Sequence, residues 1–93
     1  MSWYVYLLSC HDDSYYTGIT TDPVRRLQEH NHDNKKAAKY TRARRPVKMV
    51  YFELCQSRSD AAVREYEIRK STHKVKAQLA HSMREQIPDE SLN

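Results

Sequence analysis

The sequence predicts an α/β fold of the layered α+β type, a small three-stranded antiparallel sheet flanked by helices. Three observations lead there. Two runs rich in aromatic and branched residues, Trp3–Ser9 and Tyr15–Thr20, are parted only by a short polar segment, the pattern of a hairpin. A third such run, VKMVYFELC over Val47–Cys55, stands apart from them. Helix starts precede each remaining stretch, so the order reads β-β-α-(basic loop)-β-α-α.

The first strand alternates from Trp3 to Ser9, and His11-Asp12-Asp13-Ser14 makes the turn into the second. Asp22-Pro23 opens the first helix, with Asp22 or Thr21 as N-cap and Pro23 at the first helical position. That helix is expected to run to about Asn31, whose side chain can cap its end. Residues 32–46 form a mixed basic loop with one helical turn around Ala37–Tyr40. After the third strand, Ser57 or Ser59 caps a helix that continues to about Lys70. The last helix runs from Ser71 or Thr72 to about Gln86.

At 93 residues the chain supports one domain and a modest core. The expectation is a domain over residues 1–80, then the end of the last helix and a loose acidic tail over 81–93. Two lobes closing on a small molecule are excluded by size, so a site here is an open surface suited to a polymer. No apolar run is long enough to span a bilayer and no leader pattern opens the chain. Cys10 and Cys55 are far apart with no metal-ligand spacing, which points to small reduced residues in a cytoplasmic protein. A zinc set can be drawn from Cys10, His11, His30, His32 and Cys55, but no ligand spacing supports it.

Lys and Arg number 16 against 12 Asp and Glu, a formal charge of +4. The excess is local. Residues 1–20 hold no Lys or Arg, whereas KKAAKYTRARRPVK over residues 35–48 holds seven and no acid. Such a run attracts polyanions through counterion release, and Tyr40 inside it offers a stacking surface. Lys35, Lys36, Lys39, Tyr40, Arg42, Arg44 and Arg45 are therefore candidate nucleic-acid contacts, against the plainer reading of a solubilising loop.

Helical facing selects further residues. In the first helix, Val24 and Leu27 define the core side. Arg25 and Glu29 form an ordinary outer pair, while Arg26 and His30 lie at the rim of the core face. In the helix over Asp60–Lys70, Ala61, Ala62, Tyr66 and Ile68 mark one arc. Glu65 falls on that arc and Glu67 opposite it. An inward carboxylate needs a salt bridge, to Arg26 for example, or a metal. Gly18, the only glycine, interrupts the second strand, where something must approach closely. Tyr6 and Tyr16 bring hydroxyls to neighbouring strands; plain aromatic packing explains most such tyrosines.

In this order, these residues resemble the GIY-YIG nuclease family. Tyr4-Val5-Tyr6 stands for Gly-Ile-Tyr, and Tyr16-Thr17-Gly18 for Tyr-Ile-Gly. Arg26 follows Gly18 at the family's arginine spacing, with His30 after it in R-x-x-x-H-N. The segment Glu65-Tyr66-Glu67-Ile68-Arg69-Lys70 is similar to the family's metal-binding helix. The likeness covers roughly residues 3–80 and is greatest to small stand-alone bacterial members. Tyr4 and Thr17 depart from the motif, and the asparagine that many members carry after the glutamate helix has only Gln78 as a stand-in.

The resemblance implies hydrolysis of nucleic-acid phosphodiesters, DNA before RNA, with one divalent metal, Mg²⁺ or Mn²⁺, on Glu65. It implies Arg26 as phosphate clamp, Tyr6 as base, Tyr16 as its positioning partner with the two roles exchangeable, and His30 and Tyr40 contacting phosphate or assisting proton transfer. A monomer acting in DNA repair is the accompanying expectation. A non-catalytic nucleic-acid-binding module and a protein-interaction adaptor are the competing readings.

Overall fold

The hairpin turn sets the first register. Cys10 N–H donates to Ser14 C=O at 2.8 Å, Asp12 Oδ1 accepts from Ser14 N–H, and Asp13 takes φ 66°, a left-handed conformation that Asp tolerates. In the computed structural model, which describes residues 1–84, the strands on either side are β1 (Trp3–Ser9) and β2 (Tyr15–Thr20). They are followed by α1 (Pro23–His32), α2 (Lys39–Arg42), β3 (Lys48–Cys55), α3 (Arg58–Lys70) and α4 (His73–Arg84). The sheet is antiparallel in the order β2-β1-β3, with β1 central. The expected end of the last helix at Gln86 and the acidic tail lie outside the described residues.

Strand alternation divides the core into two layers. Tyr6, Leu8 and Cys10 pack with Val47, Leu27, Tyr16, Tyr40 and Met49 on the side of α1 and α2. Val5 and Leu7 pack with Ile68, Ile19, Tyr51 and Leu79 on the side of α3 and α4. Cys10 and Cys55 belong to different layers, so the drawn zinc set cannot converge.

The caps follow the sequence with one exception. Asp22 caps α1 through Arg25 N–H with Pro23 next to it, and Ser57 caps α3 through Asp60 N–H. Asn31 does not cap α1: the helix continues to His32, and the Asn31 amide instead clasps Val47, donating to its C=O at 2.9 Å and accepting from its N–H at 2.8 Å. Val24 is not core but 74% exposed. The inward stripe is centred between Leu27 and His30, and at 100° per residue Val24 falls about 90° away. The same arithmetic corrects α3. Its inward stripe is Ala61, Glu65 and Ile68; Ala62 is exposed and Tyr66 is 51% exposed.

Candidate active site

Tyr6 and Gly18 are Cα partners across the hairpin, and the hydroxyl end of the Tyr6 ring lies against the glycine. A Cβ on Gly18 would fall 2.6 Å from Tyr6 Cζ. The glycine is there for space, since no glycine of the chain has positive φ.

This placement delivers the Tyr6 hydroxyl to α1. Its oxygen lies 2.8 Å from His30 Nε2, and His30 Nδ1 lies 2.7 Å from Thr41 Oγ1. Thr41 Oγ1 also sits 3.0 Å from Ala38 C=O and donates to it. Its proton being used there, Thr41 accepts from His30 Nδ1–H. His30 Nε2 is then the acceptor of the Tyr6 hydroxyl proton. The chain of donors runs one way, from phenol to imidazole to threonine to a backbone carbonyl. Tyr6 is 1% exposed, and His30 and Thr41 are 0% exposed.

Burial governs the charges. It pushes the Tyr6 phenol up to about 12, aided by neighbouring Tyr16 and opposed by Arg26. Burial, with Arg26 and Arg45 beside it, pulls His30 down to about 4 against the opposing pull of Glu29. At neutral pH the pair is a phenol and a neutral imidazole: Arg26 favours the phenolate, but burial outweighs it. Arg26 is itself held above its ordinary value, burial notwithstanding, by Glu29 and the Tyr6 oxygen. Its Nη1 donates to Glu29 Oε1 at 2.9 Å and to Lys36 C=O at 2.8 Å.

His30 makes stability pH-dependent. Its folded value lies below the unfolded 6.5, so the fold resists the proton that the unfolded chain takes up. The contribution is complete above pH 6.5 and declines as pH falls through about 4. The full span is worth about 3 kcal/mol. Melting temperatures measured across that range are expected to fall steeply in the wild type and more gently in His30→Gln; parallel slopes would refute the assignment.

Around this chain the aromatics close up. Tyr16 stacks on Tyr40 with centroids 6.0 Å apart and meets His30 edge-on at 5.3 Å. Arg44 lies over the Tyr40 ring, its Cζ 3.8 Å from the centroid. The basic loop is thus partly structural. Arg44 Nε binds Asp12 at 3.0 Å and Arg42 Nη1 binds Asn34 C=O at 2.8 Å. Arg45 ties down His30 C=O at 2.7 Å and Asn34 Oδ1 at 2.7 Å. Lys35, Lys36 and Lys39 are exposed, the plainest cations of the run.

The structure brings together Tyr6, Tyr16, Gly18, Arg26, His30 and Tyr40. Glu65 is not in that group. It stands on α3, which packs against β1 and β2 from the other face, and its Oε2 is 2.8 Å from Arg69 Nε. The anticipated bridge to Arg26 is absent because the two lie on opposite faces of the sheet; Glu29, one helical turn away, binds that guanidinium instead. The facing argument holds for exposure: the Glu65 side chain is 21% exposed and that of Glu67 58%. Sequence reasoning missed Thr41, for which no spacing rule exists, and Glu29, which it paired with Arg25 alone. Glu29 binds both, with Arg25 at 3.6 Å.

Among the described residues no group of three His, Cys, Asp or Glu is placed to hold a metal. One half-buried carboxylate fits Mg²⁺, which keeps waters and takes substrate phosphate as further ligands. It does not fit zinc, which needs three or four protein ligands.

A tyrosine pair, an arginine and a histidine gathered over a glycine-bearing hairpin define a GIY-YIG catalytic domain. The chain belongs to that family, whose GIY-YIG catalytic domain description matches residues 2–78. It is 45% identical over 92 residues to UPF0213 protein CPE1444 of Clostridium perfringens, covering 97% of each. It is 52% identical over 77 residues to UPF0213 protein HQ_3675A of Haloquadratum walsbyi, covering 83% of this chain and 84% of that one. A 53% match to UPF0213 protein DP2720 of Desulfotalea psychrophila covers 73% of this chain and 61% of that protein. In structure it is similar to the NMR structure of EF2693 from E. faecalis, with TM-score 0.59, 44% identity and coverage of 90% and 88%. The UPF0213 protein BH0048 from Bacillus halodurans gives 0.53 at 42% identity, with coverage of 87% and 84%.

Proposed function

We propose that the chain is a metal-dependent nuclease that hydrolyses nucleic-acid phosphodiester bonds, DNA in preference to RNA. The observation that carries this reading is the one-way chain Tyr6–His30–Thr41, with the Arg26 charge opposing the rise of the same phenol. The chain can move a proton without a free phenolate. An attacking water gives its proton to the Tyr6 oxygen while Tyr6 passes its own to His30 Nε2. The resulting hydroxide forms the new P–O bond, the bond to the leaving oxygen breaks, and His30 returns its proton to the Tyr6 oxygen as Tyr6 passes one to the leaving group. Thr41 and Ala38 C=O steady the imidazole as it becomes charged. Arg26 neutralises charge on the phosphate. His30, being fully buried, serves the proton and not the phosphate. Glu65 would hold the metal, which supplies Lewis-acid stabilisation of the phosphate oxygens.

Purified protein incubated with labelled duplex, single-stranded and branched DNA, with Mg²⁺, Mn²⁺ or EDTA, tests this directly. Cleavage is expected to need metal and to vanish in Glu65→Gln. Full activity in that variant rejects Glu65 as ligand. The second reading, a non-catalytic binding module on the same scaffold, is favoured by the Glu65–Arg69 pair, and it predicts salt-sensitive binding with no turnover. Among the described residues no helix is long and apolar enough to cross a membrane.

Thr41→Val checks the relay. It leaves His30 Nδ1–H buried without an acceptor, a loss of about 1–3 kcal/mol, and frees the other tautomer. Ring ¹⁵N shifts of His30 are expected to move toward the Nε2–H form, and Thr41→Ser to restore them. An unchanged spectrum in Thr41→Val means the tautomer is fixed elsewhere.

A further inference from the structure

Beyond Tyr6 the sheet face changes character. Toward one end of the strands it is covered, where α1 and α2 bury Leu8, Cys10 and Val47. Toward the other end it is open. Phe52 is the cross-strand partner of Tyr6, and Leu54 of Tyr4, so all four share the face. Phe52 is 39% and Leu54 64% exposed, and Tyr4 is half-buried. Tyr4 and Phe52 meet edge to face with centroids 6.3 Å apart at 70°. Across the hairpin, Tyr4 pairs with Thr20, whose Oγ1 lies 3.5 Å from Arg25 Nη2. The Arg25 side chain is 54% exposed, though also 3.6 Å from Glu29.

We propose that Tyr4, Phe52 and Leu54 form a stacking subsite for one or two unpaired bases next to the scissile phosphate, so that single-stranded nucleic acid is the ligand of this face. The proposal rests on the reading of Tyr6 and Arg26 as a phosphodiester site, and it names the substrate form that site takes. Continuity carries it. Partner residues on adjacent strands stand about 5 Å apart, so a base on Phe52 has its own backbone beside Tyr6. A strand held at Tyr6 and Arg26 can follow the sheet in one direction only, since α1 and α2 block the other. The surface it meets there is aromatic and aliphatic, and none of Tyr4, Tyr6, Gly18, Thr20, Phe52 and Leu54 is an acid. Arg25 and Arg26 border it and complement a phosphate backbone. Base faces are available to such a surface in a single strand and are hidden inside a duplex. Tyr4 is also where the motif departs from glycine, and the departure is what puts a ring on this face.

The test uses the whole chain in EDTA, so that binding is read without turnover. Anisotropy of labelled oligo-dT and of an equally long duplex is followed in wild type and in Phe52→Ala. Phe52 packs on Tyr4, so melting curves of the variant fix a temperature at which it and the wild type are both fully folded, and binding is compared there. Oligo-dT binding should weaken about tenfold with duplex binding unchanged. In a second variant, Phe52→Trp, oligo-dT should quench the new indole, whereas Trp3 faces the other layer. Equal losses on both ligands, no loss, or no quenching would overturn the subsite while leaving the nuclease reading to stand on wild-type cleavage. No cleavage by wild type on any DNA would instead remove the reading beneath it. A mass in light scattering that doubles with concentration, and reverts in Phe52→Ala, would assign the face to a second copy and also overturn the proposal.

Discussion

Arg26→Ala is expected to cut metal-dependent cleavage by about 10²–10³, the loss typical of one transition-state donor, while the domain stays folded. The guanidinium does three things at once: it binds Glu29, it binds Lys36 C=O, and it acts on the Tyr6 oxygen. Losing it removes two hydrogen bonds from a side chain that is 23% exposed, a cost of about 1–3 kcal/mol. Glu29 is not stranded, because Arg25 already approaches it at 3.6 Å. Arg26→Lys should not rescue turnover, since one ammonium cannot replace a planar fork. A second readout needs no activity. Arg26 is among the charges that hold His30 down, so the His30 titration followed by NMR should move upward in the alanine variant. Normal cleavage together with an unmoved His30 would show that Arg26 is only a strut between α1 and the basic loop.

The first two strands were legible because both are rich in aromatic and branched residues and only a short polar turn parts them; their register and the order β2-β1-β3 come from the structure. Capping is local chemistry, so the sequence narrowed each helix start to two candidates, and the structure takes Asp22 over Thr21 and Ser57 over Ser59. Periodicity gave Glu65 its inward face and Glu67 its outward one. It misplaced Val24, Ala62 and Tyr66, since the centre of a helix stripe is set by what packs against it and a broad apolar arc hides that centre. The site was half visible. Tyr6, Tyr16, Gly18, Arg26 and His30 carry a motif, and the structure gathers them. The rest of the arrangement depends on contacts distant in sequence. Thr41 reaches His30 from α2, Lys36 offers Arg26 a carbonyl, and Arg45 returns to His30 C=O. A charge run cannot reveal which of its arginines are committed to the fold. Arg42, Arg44 and Arg45 all bind acceptors within the protein, whereas Lys35, Lys36 and Lys39 are exposed.

Gly18→Ala is expected to damage stability and cleavage together, for a reason that backbone conformation does not supply. The added methyl would fall 2.6 Å from Tyr6 Cζ and 3.0 Å from Cε2, closer than carbon atoms approach. The ring has little room to retreat. It is 1% exposed, with Tyr16 at 6.5 Å and His30 at 5.9 Å between centroids. Moving it pulls the hydroxyl off His30 Nε2 and opens the proton chain at its first link. Overpacking of this kind costs about 1–3 kcal/mol. In a domain of this size that lowers the melting temperature by roughly 4–8 °C per kcal/mol. Adding Tyr6→Leu separates the two effects. Leucine carries neither Cζ nor hydroxyl, so the double variant should regain part of the stability that alanine removes, yet remain inactive. Stability regained only by reverting position 18 would place the clash on β2 itself and not on Tyr6. Wild-type melting and turnover in the single variant would mean that the Tyr6 ring is free to move, and a hydroxyl free to move is not one held in line for proton transfer.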